Sequence, residues 1–363
     1  MKSALISGAS VAGPALAWFL RRDGWEVTVV ERAPGPRDSG YAVDFRGAAL
    51  AVLDEMGILD EVRDHEIRMR GTTLLDQSGL TVGELPASAF GGELEVPKSA
   101  LTRILHRVAG VEPLFDDTIT ALTQHDDRVT VAFERAPTRD FDLVLGADGV
   151  HSAVRRLAFP GIDPILHLGM SGAGFTSANE FGLDHRGLLQ AGPGRAVYAF
   201  SAGDPARMTV SLSFASTAAD SFPDRAAQEA AVRTAFADHP WPAVPRLLAD
   251  MATAEDFYFA STSQVHLDSW SVGRVALLGD AGYCSAPTSG MGTSQALLAA
   301  SVLARCLVEA GGDHAVAFER YERELRPYVT ENQRSGREAV AGFGGVVADA
   351  PEVTQSNLAT IDQ

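Results

Sequence analysis

Three acidic residues, Glu31, Asp148 and Asp280, each stand where an apolar run ends, and each has a glycine-rich turn close by in the chain. A carboxylate at the C-terminal end of a buried strand is positioned to accept hydrogen bonds from ribose hydroxyls. Two of the glycine turns, Gly8-Ala9-Ser10-Val11-Ala12-Gly13 and Gly290-Met291-Gly292, run into apolar-periodic segments that read as helices. Helix N-termini offer unpaired N–H groups and a positive dipole end, so both turns favour an anionic ligand. The chemistry this pattern points to is the binding of a phosphorylated dinucleotide. Structural duty alone would also satisfy part of it, since Asp148 and Ser152 could simply cap the helix that follows them.

The elements needed to hold these residues are legible around them. Ala4-Leu5-Ile6-Ser7 is too short for a helix and reads as a strand, 14–22 carries apolar residues at helical spacing, and 25–30 is a β-branched strand delivering Glu31 and Arg32. Together they form a βαβ unit whose fingerprint is G-x-S-x-x-G, with Ser10 where the second glycine normally stands. The connection 33–46 is long for its context and contains Arg37, Asp44 and Arg46. A helix is expected over 47–56, strands over 72–75 and 81–85, and a helix over 98–108 that begins at Lys98. The apolar run 141–146 reads as a buried parallel strand ending at Asp148.

From 159 to 271 the spacing changes to β-like segments at 187–190, 196–202, 208–215 and 256–264, with a helix over 226–238. A nucleotide-domain strand then returns over 273–280 and delivers Gly279-Asp280, followed by helices over 293–310 and 315–340, the last with a kink expected at Pro327. The expected fold class is α/β: a Rossmann-like domain with a βαβ N-terminus, an inserted antiparallel-sheet domain and a closing C-terminal helix. The expected divisions are 1–158, 159–271 and 272–363, with the first and third forming one domain.

Composition narrows the partners. The 363 residues include 47 Asp and Glu against 30 Lys and Arg, a formal charge of −17, which argues against nucleic acid and against an anionic membrane surface. Cys284 and Cys306 are too few for a disulfide framework, no Cys or His cluster has metal-ligand spacing, and no apolar run approaches a membrane span, so a cytoplasmic location is expected. Lysine occurs only at Lys2 and Lys98.

Taken in order, the Gly8…Gly13…Glu31 unit, the Asp148-Gly149 motif and Gly279-Asp280 followed by Pro287, Gly290 and Gly292 resemble the FAD-dependent aromatic hydroxylases of the para-hydroxybenzoate hydroxylase class, including the tetracycline-inactivating monooxygenases. The resemblance covers nearly the whole chain. It implies that Gly8, Ser10, Val11, Ala12 and Gly13 line the FAD pyrophosphate, that Glu31 holds the adenosine ribose with Arg32 beside it, and that Asp280 accepts from the ribityl hydroxyls. Gly279 precedes that acid, Pro287 would lie near the flavin ring, and Gly290, Met291 and Gly292 would meet its N1–C2=O edge. Asp44, Arg46 and Lys98 would approach the flavin, Asp148 would support the site, and Arg37 would contact NADPH. Lys98 stands where the class usually has arginine, which keeps the charge but loses the planar fork. Ser294 and Ala299 replace an Asn and an Asp common in the class.

The activity so implied is NAD(P)H- and O₂-dependent hydroxylation of an aromatic or polycyclic, antibiotic-like small molecule through a flavin C4a-hydroperoxide, with NADPH binding transiently. Tyr198, Phe200 and Phe214 are the expected substrate contacts in the inserted sheet, and His185, Arg195 and Tyr258 are candidates for a substrate-deprotonating base among which spacing does not choose. Two other functions remain open from sequence: a FAD-dependent reductase or dehydrogenase that does not use oxygen, and a drug-sequestering flavoprotein. A halogenase would need a Trp-x-Trp-x-Ile-Pro stretch, whereas Trp18, Trp25, Trp241 and Trp270 are isolated.

Overall fold

The structure is a computed structural model that describes residues 2–36, 41–87, 91–217 and 220–340. The chain begins with β1 (Ser3–Ser7), α1 (Ala12–Arg22), β2 (Glu26–Glu31), β3 (Ala42–Phe45), α2 (Ala48–Glu55), α3 (Leu59–Arg63), β4 (Thr72–Leu75), β5 (Thr81–Leu85), β6 (Leu94–Pro97) and α4 (Lys98–Ala109). It continues with β7 (Leu114–Phe115), β8 (Ile119–Gln124), β9 (Val129–Phe133), β10 (Arg139–Phe141), β11 (Leu143–Gly146) and α5 (Ala153–Ala158). Then come β12 (Ile165–Ala178), β13 (Gly187–Gly192), β14 (Arg195–Phe200), β15 (Arg207–Ala215), α6 (Arg225–Ala235), α7 (Val244–Thr253) and β16 (Tyr258–Val265). The last part is β17 (Ser271–Val272), β18 (Val275–Leu277), α8 (Asp280–Tyr283), α9 (Gly292–Glu309) and α10 (His314–Val340).

The continuous apolar runs become the middle of a sheet of order β17-β18-β11-β1-β2-β7, in which β18, β11, β1 and β2 pair in parallel. Leu143, Val144 and Leu145, like Ala4, Leu5 and Ile6, have almost no contact with solvent, because helices and a separate three-stranded antiparallel sheet, β10-β9-β8, pack into the same core, the sheet through Val129, Val131 and Phe133. Helix α1 buries Ala15, Leu16, Phe19 and Leu20 in the same core to which α9 contributes Leu297, Ala300 and Leu303. Helix α10 closes over this core through Phe318, Tyr321 and Leu325, and the Tyr321 hydroxyl donates to the Leu277 carbonyl at 3.0 Å, fixing the end of β18.

A second sheet has the order β16-β12-β15-β14-β13-β4-β5. The sequence foreshadows β13, β14, β15 and β16 but not β12, the long strand between β15 and β16, nor α7. Two strands of this sheet, β4 and β5, come from far upstream, with β4 pairing parallel to β13. One face packs its alternate side chains, among them Phe175, Val197, Ala199, Val210 and Leu212, against α6 and α7 through Val232, Phe236, Leu247 and Met251. The other face lies open towards a two-stranded ribbon of β3 and β6. No helix among the described residues is long and apolar enough to cross a membrane.

Candidate active site

Parallel register decides which loops meet. Ser7 lies beside Gly146 and Val30, and Gly146 beside Leu277, so the chain segments leaving β1, β11, β18 and β2 emerge along one edge of the sheet. Residues 8–13, 147–152, 279–283 and Glu31 therefore gather there although up to some 270 positions separate them in sequence. Gly8 has φ +107°, and a Cβ on it would lie 2.3 Å from the Ala147 carbonyl oxygen; a Cβ on Gly13 would lie 1.9 Å from the Gly8 carbonyl oxygen. Both glycines are there because the turn packs directly on neighbouring backbone. Ser10, at the fingerprint's middle position, is exposed at the tip, and Val11 and Ala12 are buried behind it.

Glu31 accepts from the backbone N–H of Ala9 and of Ala33, each at 2.9 Å, and so ties the glycine turn to the end of β2. A carboxylate has about four lone-pair positions, so each oxygen keeps capacity for a sugar hydroxyl. Arg32 is exposed beside His151, whose imidazolium is disfavoured first by burial and then by Arg155, Arg32 and Arg156. Asp148 accepts from the N–H groups of Ala153 at 2.8 Å and Val154 at 3.1 Å and from the Ser152 hydroxyl, so it caps α5 and supports the turn from behind.

Gly279 wedges between two helix starts: a Cβ on it would be 3.8 Å from Ala12 of α1 and equally far from Ala296 of α9. No side chain caps either helix, the N-cap residues being Val11 and Met291. Two sets of unpaired N–H groups thus face one crevice. Asp280 opens onto its floor; the surrounding protein pushes the carboxyl above the usual range, opposed by a hydrogen bond with Cys284 and by the charge of Lys98. Lys98 begins α4 and donates to the Tyr41 hydroxyl, its Nζ 4.8 Å from the ring centre.

The loop between α8 and α9 is held from two sides. Pro287–Ser289 form a short 3₁₀ turn preceded by Ala286, which has φ +71° and ψ 152°, a conformation that ordinarily belongs to glycine. Thr288 donates to the Gly336 carbonyl of α10 at 2.7 Å, and a Cβ on Gly336 would lie 2.1 Å from the Ser285 carbonyl oxygen. Ser294, at the first turn of α9, accepts from the Arg46 N–H at 3.1 Å and donates to the Asp44 carbonyl at 3.3 Å, so the ribbon is tied to the same loop. The Arg46 guanidinium donates to the Gly91 carbonyl at 3.1 Å. Arg37 lies outside the described residues.

The second sheet brings its open face to this edge. In β14 and β15, Tyr198 pairs with Ser211 and Phe200 with Thr209, and the same face continues across Gly172 and Gly174 of β12. Tyr198 and Phe200 stack at 5.5 Å, and Tyr258 meets Tyr41 at 6.1 Å. Small and hydroxylic side chains in the middle with aromatic rings around them make a shallow apolar-polar cup. Phe214 is not part of it. It shares the face of Leu212 and Val197, is 7% exposed, and packs against Phe222 and Phe259 on the helix side. Arg195 points to that side too, donating to the Ala235 carbonyl at 2.9 Å and pairing with Asp238. His185 is engaged with the Ile67 carbonyl at 2.6 Å.

One residue in the crevice had no motif to announce it. Glu95 of β6 is the direct partner of Asp44 of β3. Burial, then the charge of Asp44, pushes its carboxyl up to about 7, and both acids lie close enough to help raise the Tyr198 phenol to about 12, after burial. Its only signal in the sequence is that it alternates with the core residues Leu94 and Val96.

The donor set fits an extended dinucleotide: backbone N–H groups at two helix starts, a carboxylate at each end, and Gly279, Gly290 and Gly292, at which nothing lies closer than 3.8 Å to where a Cβ would stand. A family model described as FAD binding domain matches residues 1–335. Over 343 residues the chain is 42% identical to an uncharacterised protein of Mycobacterium tuberculosis, covering 92% of each. It is 36% identical to a flavin-dependent monooxygenase of Legionella longbeachae over 339 residues, 92% of this chain and 87% of that one. Among solved structures it is similar to the tetracycline destructase Tet(55), with a TM-score of 0.87, 36% identity, and coverage of 96% of this chain and 92% of that one. The chain belongs to the FAD-binding-domain family of flavin-dependent monooxygenases and is, as the motifs at Gly8, Asp148 and Asp280 implied, an FAD-dependent oxidoreductase.

Proposed function

We propose that this monooxygenase takes electrons from NAD(P)H and hydroxylates an aromatic or polycyclic, antibiotic-like molecule lying between the Gly290-Met291-Gly292 loop and the open face of the second sheet. The observation that carries this is the cup of Tyr198, Phe200, Gly172, Gly174 and Ser211, a broad face that suits a flat ring system. The 36% identity to a tetracycline destructase supports the same substrate class.

In this reading residues 159–271 form the substrate-binding unit, completed by β4 and β5, and 1–158 with 272–363 form the FAD-binding unit. The N–H groups around Gly8, Ser10, Val11, Ala12 and Gly13 would hold the pyrophosphate, Glu31 and Arg32 the adenosine end, and Asp280 the ribityl chain, with Asp148 bracing the turn. Bound FAD would supply electron transfer from the nicotinamide and oxygen activation. The Gly290 and Met291 N–H groups are held inside the loop, by the Pro287 carbonyl and the Ser289 hydroxyl, so Gly290 and Met291 would shape the loop while the Gly292 N–H and the first turn of α9 would face the pyrimidine edge of the flavin, where fixed donors stabilise negative charge. Pro287 would stiffen that loop, while Asp44, Arg46 and Lys98 would border the flavin opposite it. The ribbon and Tyr41 with Tyr258 would limit water entry.

The experiment is a tetracycline-dependent NADPH oxidation assay run under ¹⁸O₂. Expected is faster NADPH oxidation with tetracycline and a product carrying one labelled oxygen. Oxidation without incorporation makes the chain a reductase, and tight tetracycline binding with no oxidation makes it a sequestering protein.

A further inference from the structure

Alternation along the β3–β6 ribbon separates two faces. Val43, Phe45, Leu94 and Val96 are buried in the core, which leaves Ala42, Asp44, Glu95 and Pro97 on the other face. That second face stands between the cofactor loop and the substrate cup: the Asp44 carboxyl lies 3.8 Å from where a Cβ on Gly290 would be, and Glu95 and Asp44 act on Tyr198 of β14. Two carboxyls directly opposite each other on a sheet repel, so the ribbon breaks a local stability rule here. Sequences that otherwise agree with their fold break such rules at functional sites. Asp44 has an internal partner, the Gly92 N–H at 3.0 Å, and Lys98 at the end of β6 is occupied by Tyr41. Glu95 has no hydrogen bond to its carboxyl among the described residues.

We propose that Glu95 is the acid–base residue of this enzyme toward its substrate, its carboxylate accepting the proton of an ionisable phenolic or enolic hydroxyl. The inference rests on the proposed substrate reading. In the step, the O–H bond of the substrate breaks, an O–H bond forms on Glu95, and the electron pair stays on the substrate oxygen. No oxidation occurs in it; the resulting oxyanion enriches the conjugated carbons that receive oxygen. Tyr198 keeps its proton at neutral pH and is able to donate to that oxyanion. The charged group acting on Glu95 is Asp44 from β3, which with burial holds its proton affinity high, and Glu95 in turn acts on Tyr198 from β14. A base poised near neutrality is matched to the pH at which the enzyme must work.

The test uses FAD-loaded wild-type, Glu95→Gln and Glu95→Asp proteins, with tetracycline and a panel of hydroxyaromatics paired with their methyl ethers. Expected is stimulation of NADPH oxidation and oxygen incorporation only by compounds with a free acidic hydroxyl. In Glu95→Gln, kcat for incorporation should fall about a hundredfold with KM little changed, and the acid limb of the pH profile near neutrality should vanish. Glu95→Asp should recover part of the rate, while FAD affinity stays as in the wild type. Wild-type kcat and pH profile in Glu95→Gln, or equal activity on the methyl ethers, overturns the proposal. If no compound is turned over, the substrate reading has failed, and infrared titration of the ligand-free holoenzyme decides on Glu95. A protonated carboxyl band persisting to neutral pH and absent in Glu95→Gln upholds it as a poised base, and a carboxyl already ionised in mild acid overturns it.

Discussion

Replacing Glu95 by glutamine should stabilise the protein, and by an amount that depends on pH. The folded carboxyl is pushed from its ordinary 4.5 up to about 7 by burial and by Asp44. Between those values the folded protein holds a proton that the unfolded chain has released, so stability falls as pH rises through this window and the loss is complete above the folded value. At about 1.4 kcal/mol per pH unit the full penalty is about 3 kcal/mol. Glu95 keeps some contact with solvent, which screens part of it, and about 2 kcal/mol is the working expectation. Glutamine keeps the shape, cannot ionise, and removes the repulsion with Asp44. Denaturant unfolding of the FAD-free proteins should therefore show near-equal stability at pH 4.5 and a gain for Glu95→Gln that grows to about 2 kcal/mol by pH 8. A gain that is the same at both pH values, or a loss at pH 8, would refute the claim that the ribbon holds two opposed carboxyls out of water.

The other predictions concern packing around the cofactor loop and the cup. Gly8→Ala puts a Cβ 2.3 Å from the Ala147 carbonyl at φ +107°, so it should cost roughly 2–4 kcal/mol in urea unfolding and abolish FAD uptake in a fluorescence titration. Phe214→Ala should destabilise by about 3–5 kcal/mol with little change in KM, since it removes a core ring packed on Phe222 and Phe259. Phe200→Ala, on the open face, should do the reverse, raising KM in the tetracycline assay with a small change in melting. Gly336→Ala displaces the Ser285 carbonyl from α10, and it should lower kcat and shift the bound-flavin absorbance while most of the global stability remains.

How much could be read ahead depended on whether the deciding neighbours were local. The strand ends at Asp148 and Asp280 were legible because a short apolar run, a turn and a helix follow each other within a few residues, and Glu31 because it closes a strand-turn-helix-strand unit some thirty residues long. Strand β12 was not, because Gly169, Gly172 and Gly174 thin out the apolar alternation that marks strands. Helix α7 was hidden behind Pro245, a breaker in the middle of a helix but tolerated in its first turn. Phe214 illustrates a different limit. Period-two alternation shows that Phe214 and Tyr198 lie in strands, yet which face the helices cover depends on the packing of α6 and α7. Glu95 was missed for the same reason: its meaning comes from Asp44, fifty-one positions away, and from Tyr198 in another sheet. The joining of β4 and β5 to β13 is likewise a pairing across more than a hundred residues.

The central claim, that glycine turns and strand-end acids scattered along the chain form one FAD cradle facing the cup, is tested most directly by the difference electron density of FAD in crystals of the loaded protein. The pyrophosphate is expected on the N–H groups of 11–13, the ribityl chain on Asp280, and the flavin ring between the Gly290-Met291-Gly292 loop and Asp44, facing Tyr198 across the crevice. Density that leaves Asp280 and the first turn of α9 without contact to FAD would contradict it.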